Sequence, residues 1–231
     1  MSDRSSSGPA VALVVAAGSG VRFGADRPKA LVELAGRPLV AHAVAALAAG
    51  GVVRAVVTVP AGREESFAEA LRDAPVPVDL VVGGAERQDS VRLGLARLAD
   101  ARGPILVHDA ARPLVPPAVV AAVIDAVRAG ADAVVPAVPV ADSIRRIAGR
   151  TSAVVDRASL RAVQTPQGFA PQALRAGHQH VLDAGLVVTD DAAACEAAGH
   201  PVSLVEGSAD SLKITTPADL IMAEAILVAR G

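Results

Sequence analysis

Directly after the apolar run Val11–Val15, residues 16–31 read AAGSGVRFGADRPKAL. Gly18 and Gly20 let the backbone come close to a ligand, and the amides of residues 17–20 can donate to an anion. Arg22 offers a planar fork to phosphate oxygens, and Lys29 follows as a point charge. Two cations beside a glycine turn suit a nucleoside triphosphate attacked at its α-phosphorus, because the departing pyrophosphate carries the accumulating charge. Two other glycine loops fit less well. The G-x-x-x-x-G-K-[ST] loop fails, since Lys29 follows Pro28 and precedes Ala30. A dinucleotide fingerprint needs a helix beginning at the glycines and an acid after the second strand. Gly24 and Pro28 interrupt such a helix, and VVTVPAG carries no acid.

Two further stretches add to the first. GGAERQDSVRLGL sets Gly83 and Gly84 at a strand end before a helix start, so that the turn can present backbone to a base with Ser90 in hydroxyl reach. ILVHDAARP ends a buried strand at Asp109, the carboxyl edge where open α/β sheets bind ligands. A lone carboxylate there suits Mg2+ or another divalent cation, which takes its remaining ligands from substrate phosphates. Arg112, three residues on, can hold a further phosphate.

Positioning these residues requires an alternation of strands and helices. Short β-rich runs at Val11–Ala16, Val52–Val59, Val78–Val82, Ile105–His108 and Ala133–Ala137 alternate with amphipathic ones at Pro38–Ala49, Arg63–Asp73, Glu86–Ala99 and Pro116–Ala129. The expected fold is α/β, a single Rossmann-like nucleotidyltransferase domain with a mainly parallel sheet and a projecting β-arm. The arm spans 139–156 and turns at Gly149. Helices at Pro171–Ala184 and Asp190–Ala198 follow, then strands near Val202–Val205 and Leu212–Ile214, and a last helix from about Pro217. The domain covers 10–231, after a disordered tail at 1–9.

Bulk composition narrows the partners. Aromatics make up 1% of the 231 residues, which argues against base stacking, and the net charge of −2 draws the chain neither to nucleic acid nor to an acidic membrane. Any positive well must be local. No apolar run approaches a membrane span, and the run at residues 10–17 reads as a buried strand rather than a signal sequence, so the expected location is cytoplasmic. Cys195 stands alone without zinc-type spacing and reads as a small apolar helix residue.

The motifs AAGSGVR…PKAL, GGAERQDSV, VHDAARP, VDRASLRAVQTPQGF, TDDAA and EGSADSLKIT occur in this order. Together they resemble the 2-C-methyl-D-erythritol 4-phosphate cytidylyltransferase family of the non-mevalonate isoprenoid pathway, from about Val11 to Leu227. The first motif is common to many nucleotidyltransferases, whereas HDAARP, TPQGF and KIT are much narrower. The resemblance implies CTP and 2-C-methyl-D-erythritol 4-phosphate as substrates. Ala16, Ala17, Gly18, Gly20, Gly84, Ser90 and Ala110 match positions that bind the cytidine nucleotide. Arg22 and Lys29 match the pair stabilising the pentavalent α-phosphate, and Asp109 matches the magnesium ligand. Arg112, Ser143, Thr165 and Thr189 match acceptor positions, with Arg157 and Lys213 placing the acceptor phosphate. Ser143 stands where the family commonly has threonine, Ala85 where some relatives carry an acid, and PKAL lacks an aromatic often found after the lysine.

The chemistry needs no nucleophilic side chain. A phosphate monoester has a second pKa near 6 and is largely a dianion at neutral pH, so positioning and charge neutralisation suffice. Accordingly His178 and His180, at i and i+2 of a helix, read as surface residues. His42 and His200 read as unpartnered, and His108 as packing beside Asp109. Three rivals remain at this level: a cytidylyltransferase for another polyol phosphate such as ribitol 5-phosphate, a non-catalytic nucleotide sensor, and a dehydrogenase. The arm carries Val140, Ile144, Ile147, Val154 and Val155 and needs something to pack against, which a two-fold partner would supply. The resemblance likewise implies a homodimer, with the arm reaching the neighbouring active site.

Overall fold

The computed structural model describes residues 7–18 and 28–230. Gly20 and Arg22, and residues 1–6 of the expected tail, lie outside them, whereas Gly8 packs on the backbone of Gly103.

The expected alternation is present. Strands β1 (Ala10–Val15), β4 (Val52–Val59), β5 (Val78–Val82) and β6 (Ile105–Asp109) run parallel, separated by α1 (Leu39–Ala49), α2 (Glu64–Ala70) and α3 (Arg87–Arg97). A two-residue pair, β2 (Glu33–Leu34) and β3 (Arg37–Pro38), precedes α1. Then come α4 (Pro117–Arg128), β7 (Ala133–Pro139), β8 (Ile144–Ala148), β9 (Thr151–Val155), β10 (Arg161–Val163), β11 (Gln167–Phe169), α5 (Pro171–Asp183), α6 (Asp191–Ala197), β12 (Val202–Glu206) and α7 (Pro217–Arg230). The main sheet runs β10-β7-β11-β6-β1-β4-β5, with β12 parallel to β7.

Successive side chains of β1 feed opposite layers, as strand geometry dictates. Ala10, Ala12 and Val14 pack with Val40, Val44 and Leu47 of α1 and Val120, Val123 and Ile124 of α4. Val11 and Leu13 pack with Val91 and Leu95 of α3, Leu174 of α5 and Cys195 of α6. The β1–α3 contact is close enough that a Cβ on Gly94 would sit 2.2 Å from a Leu13 methyl.

Several expectations need correction. Leu212–Ile214 is no strand. It is the exit of a single 3-10 turn (Ala209–Ser211), and its burial alternates because Ile214 enters a third cluster with Val32, Leu34 and Leu39 while Lys213 faces out. The short antiparallel strands β10 and β11 were not foreseen; β11 lies between β6 and β7. His178 is buried rather than on the surface, because it shares a helical face with Leu174 and Val181. His42 and His200 both have partners, the Leu34 carbonyl at 2.9 Å and the Asp132 carboxylate at 2.9 Å. The arm forms as a hairpin, β8–β9, turning at Gly149 with φ +58°, and Ile147 and Val154 stand 73% and 69% exposed on it.

Candidate active site

The chain order reverses beside β1: it proceeds to β4 and β5, then returns to place β6 on the other flank. Crevices outside the carboxyl ends of strands form at such a point. Val15 pairs with Asp109 in register, so the loops after β1 and β6 leave the sheet side by side. Between them and the turn after β5 lies a cleft of about 390 Å³. Ala16, Ala17, Gly18, Lys29, Gly84, Ser90, Asp109, Ala110 and Lys213 all line it, as do Glu86 and Arg87. Nine residues singled out in four separated segments thus meet at one place.

The turn after β5 is built by close approach. A Cβ on Gly83 would lie 2.4 Å from that of Ala17, and one on Gly84 would lie 2.3 Å from that of Asp89. Ser90, 2% exposed, accepts from the Gly84 amide at 3.1 Å and donates to the Glu86 carbonyl at 3.2 Å. Its hydroxyl therefore holds the turn. Glu86 and Asp89 form a reciprocal capping box that starts α3 immediately behind. Gly18, by contrast, has no described residue within 4 Å of where a Cβ would be.

Asp109 is the cleft's acid. Burial pushes its pKa up, but Arg87 and then Lys213 outweigh burial and hold it at about 2, so it is ionised at neutral pH. Lys213 Nζ donates to Oδ2 at 2.7 Å and remains 43% exposed at the mouth. The Asp109 amide donates to the Thr165 hydroxyl at 3.0 Å, and that hydroxyl meets Nδ1 of His108 at 3.1 Å. His108 is fully buried, and burial lowers its pKa to about 4, which keeps the ring neutral. Lys29 Nζ donates to the Ile214 carbonyl at 3.0 Å, while the Ile214 amide donates to the Ala111 carbonyl at 2.8 Å. The Lys-Ile-Thr segment is thereby tied to both the β1 and β6 loops.

Among the described residues, the remaining sequence candidates do not line this cleft. Arg112 directs both terminal nitrogens to backbone carbonyls, Ser211 at 2.7 Å and Val163 at 3.4 Å, and burial lowers its pKa. Thr165 is buried under Asp109. Ser143 and Arg157 are exposed at the base of the arm, where Arg157 donates to the Ala141 carbonyl, and Thr189 is exposed just before α6. Sequence reasoning missed Arg87, although it stands within GGAERQDSV. Its Nη2 donates to the buried Asp191 at 2.8 Å, and its guanidinium edge faces Asp109. The TDDAA motif carried the other half of that contact. Among the described residues, no group of three or more His, Cys, Asp or Glu could hold a metal ion.

With this geometry in view, comparison with known proteins is decisive. The family model for 2-C-methyl-D-erythritol 4-phosphate cytidylyltransferase matches residues 10–229. The chain belongs to this family. A relative of that name from Nocardia farcinica is 50% identical over 234 residues, covering 100% of this chain and 99% of that protein. One from Saccharopolyspora erythraea is 51% identical, covering 94% of this chain and 98% of that protein. The crystal structure of the Thermus thermophilus cytidylyltransferase covers 96% of this chain and 99% of its own, with a TM-score of 0.76 at 38% identity. The fold is therefore that of the cytidylyltransferases, and the dehydrogenase reading is set aside.

Proposed function

We propose that this member of the cytidylyltransferase family transfers the cytidylyl group of CTP to 2-C-methyl-D-erythritol 4-phosphate, releasing pyrophosphate, in isoprenoid precursor synthesis. The carrying observation is the convergence of the Ala16–Gly18 loop, Lys29, the Gly83–Gly84 turn, Asp109 and Lys213 on one cleft at the switch point. The acceptor phosphate dianion attacks the α-phosphorus in line. A P–O bond forms to the acceptor as the α–β P–O bond breaks, and pyrophosphate leaves with the electron pair. Lys29, with Arg22, neutralises charge that grows on the α-phosphate, and Lys213 together with Arg157 places the acceptor phosphate. No base is required.

Asp109 fits a divalent cation, being an ionised carboxylate at the cleft, and among the described residues no group of three or more His, Cys, Asp or Glu builds a protein cage around it. Asp109 would hold such an ion, which would supply charge neutralisation for the transfer. We further propose a homodimer, since the arm presents Ile147 and Val154 with no described segment covering them, and Ser143 and Arg157 lie at its base. No helix among the described residues is long and apolar enough to cross a membrane, and we place the enzyme in the cytoplasm, where nucleoside triphosphates are held.

The test is pyrophosphate release over a grid of nucleotides and polyol phosphates with divalent metal. The CTP and methylerythritol phosphate pair should turn over fastest. Faster turnover with ribitol 5-phosphate moves the assignment to that acceptor, and nucleotide binding without release in any combination leaves a sensor.

A further inference from the structure

The Arg87 guanidinium joins two carboxylates that come from distant parts of the chain. Nη2 donates to Asp191 Oδ2 at 2.8 Å, while Nε and Nη2 both stand 3.5 Å from Oδ1 of Asp109. The Asp191 end is the tighter and the more buried. Asp191 is 1% exposed, and its other oxygen accepts from His178 Nε2 at 3.0 Å. Asp191 opens α6, and the start of that helix is itself fixed. Asp190 caps it by accepting from the Ala193 amide, while Gln167 donates to Asp190 at 2.8 Å and accepts from the Ala192 amide at 3.1 Å. At its own end Arg87 is the first residue of α3, held by the Glu86–Asp89 capping box.

The arrangement therefore has a rigid side and a working side. Behind Arg87 stands a fully partnered buried carboxylate. In front stands Asp109, 14% exposed, which gives Oδ1 to Arg87 and Oδ2 to Lys213. A carboxylate on a freely rotating side chain loses entropy when it must take one orientation, and two cations on opposite oxygens remove that freedom beforehand.

Resting on the functional reading above, we propose that Arg87 is a positioning residue of the transfer reaction. The buried Asp191–His178 pair fixes its guanidinium, and the guanidinium orients the Asp109 carboxylate in the cleft. The role needs a planar fork. A lysine at position 87 brings a single charged nitrogen on a flexible stem and can reach only one of the two carboxylates. Asp191 of the TDDAA motif then acts on the reaction through Arg87, without touching either substrate.

The test compares Arg87→Met, Arg87→Lys, Asp109→Asn and the Arg87→Met/Asp109→Asn double variant, all at metal saturation and followed in single turnovers where activity is low. Arg87→Met should lower kcat by about 10- to 100-fold, the usual cost of losing a partner that orients a ligating group. The KM for CTP should stay within about threefold of the parent, as expected of a residue that lines the cleft but acts through Asp109 rather than on the nucleotide. Arg87→Lys should fold with a thermal midpoint near the parent's and still lose most of that activity. In the Asp109→Asn background Arg87→Met should cost less than about twofold, since a residue acting through Asp109 has nothing left to orient.

Three outcomes overturn the proposal. Full multiplication of the two losses gives Arg87 a separate role, full activity in Arg87→Lys reduces it to a charge, and a raised KM for CTP at unchanged kcat makes it a phosphate contact. If Arg87→Met does not fold, the Arg87→Lys comparison decides. Should the parent itself show no transfer, the functional reading is what fails. Crystal structures of the parent and Arg87→Lys then decide the positioning claim: Asp109 must change rotamer or lose its Lys213 contact, and an unmoved Asp109 refutes it.

Discussion

Acid should destabilise this enzyme through His108. The ring's proton is assigned by its partners. Nε2 lies 3.0 Å from the Arg112 carbonyl, which can only accept, so Nε2 carries the hydrogen. Nδ1 then accepts from the Thr165 hydroxyl, whose oxygen in turn accepts from the Asp109 amide. A second ring proton would meet a hydroxyl hydrogen already aimed at it, in a site without solvent. Burial thus lowers the pKa from 6.5 to about 4. The sign follows directly: between those values the unfolded chain binds the proton and the folded one does not, so stability falls as pH falls through that window. Linkage gives a loss of about 2 kcal/mol between pH 7.5 and pH 5, and about 3 kcal/mol by pH 4. The assay is urea unfolding at fixed protein concentration, followed by far-UV circular dichroism because the chain has no Trp or Tyr. Other groups titrate too, so the reading is the difference between the parent and His108→Gln, which retains a donor for the Arg112 carbonyl. That difference should narrow by about 2 kcal/mol from pH 7.5 to pH 5. A constant difference across the range would refute the buried-neutral assignment.

Gly84→Ala drives a methyl to 2.3 Å from the Asp89 Cβ and should destabilise by about 1–3 kcal/mol in thermal or urea unfolding. Gly18→Ala meets no described residue and should leave stability unchanged while cutting transfer by about tenfold or more, as expected if a triphosphate approaches that backbone; full activity would remove the loop from the nucleotide site. Lys29→Ala should lower kcat by about 10²–10³-fold with a smaller change in CTP affinity, and a pure KM effect would limit Lys29 to ground-state binding. Inactive Lys29→Ala and Ser143→Val chains, unfolded and refolded together, should regain activity if each arm serves its partner's site. A monomer in sedimentation, or no recovery, would confine each site to one chain.

The parts of this molecule legible in its sequence are those written in local period. β1, β4, β5 and β6 are runs of β-branched and small apolar residues ended by turn residues, and α1, α3 and α4 keep a helical apolar stripe. The cleft was legible because its glycine turns follow β1 and β5 and Asp109 ends β6, while Lys29 and Lys213 stand in the recognisable runs PKAL and KIT. What escaped was non-local or very short. Arg87 finds Asp191 104 positions away, and no spacing rule reaches that far. β10 and β11 have three residues each, too few for a period to register. Leu212–Ile214 alternates like a strand because a loop that buries two apolar residues around a lysine produces the same pattern. His178 was detectable and misread: its spacing from Leu174 and Val181 places it on the buried face of α5.

The β7–β10 ladder has a further consequence. Pro139, the last residue of β7, pairs with Arg161, the first residue of β10, so the chain leaves and rejoins the sheet at one point. To the sheet, residues 140–160 are a single closed excursion whose ends are clamped together. Lengthening such an excursion costs little, with each doubling of a flexible loop adding only about 0.6 kcal/mol of closure entropy. The excursion can therefore be exchanged like a cartridge, hairpin and all, while β1 and β6 keep their register and the cleft keeps its floor. Chimeras between relatives cut at these two residues would carry over whatever recognition the arm contributes, and leave the nucleotide half of the enzyme untouched.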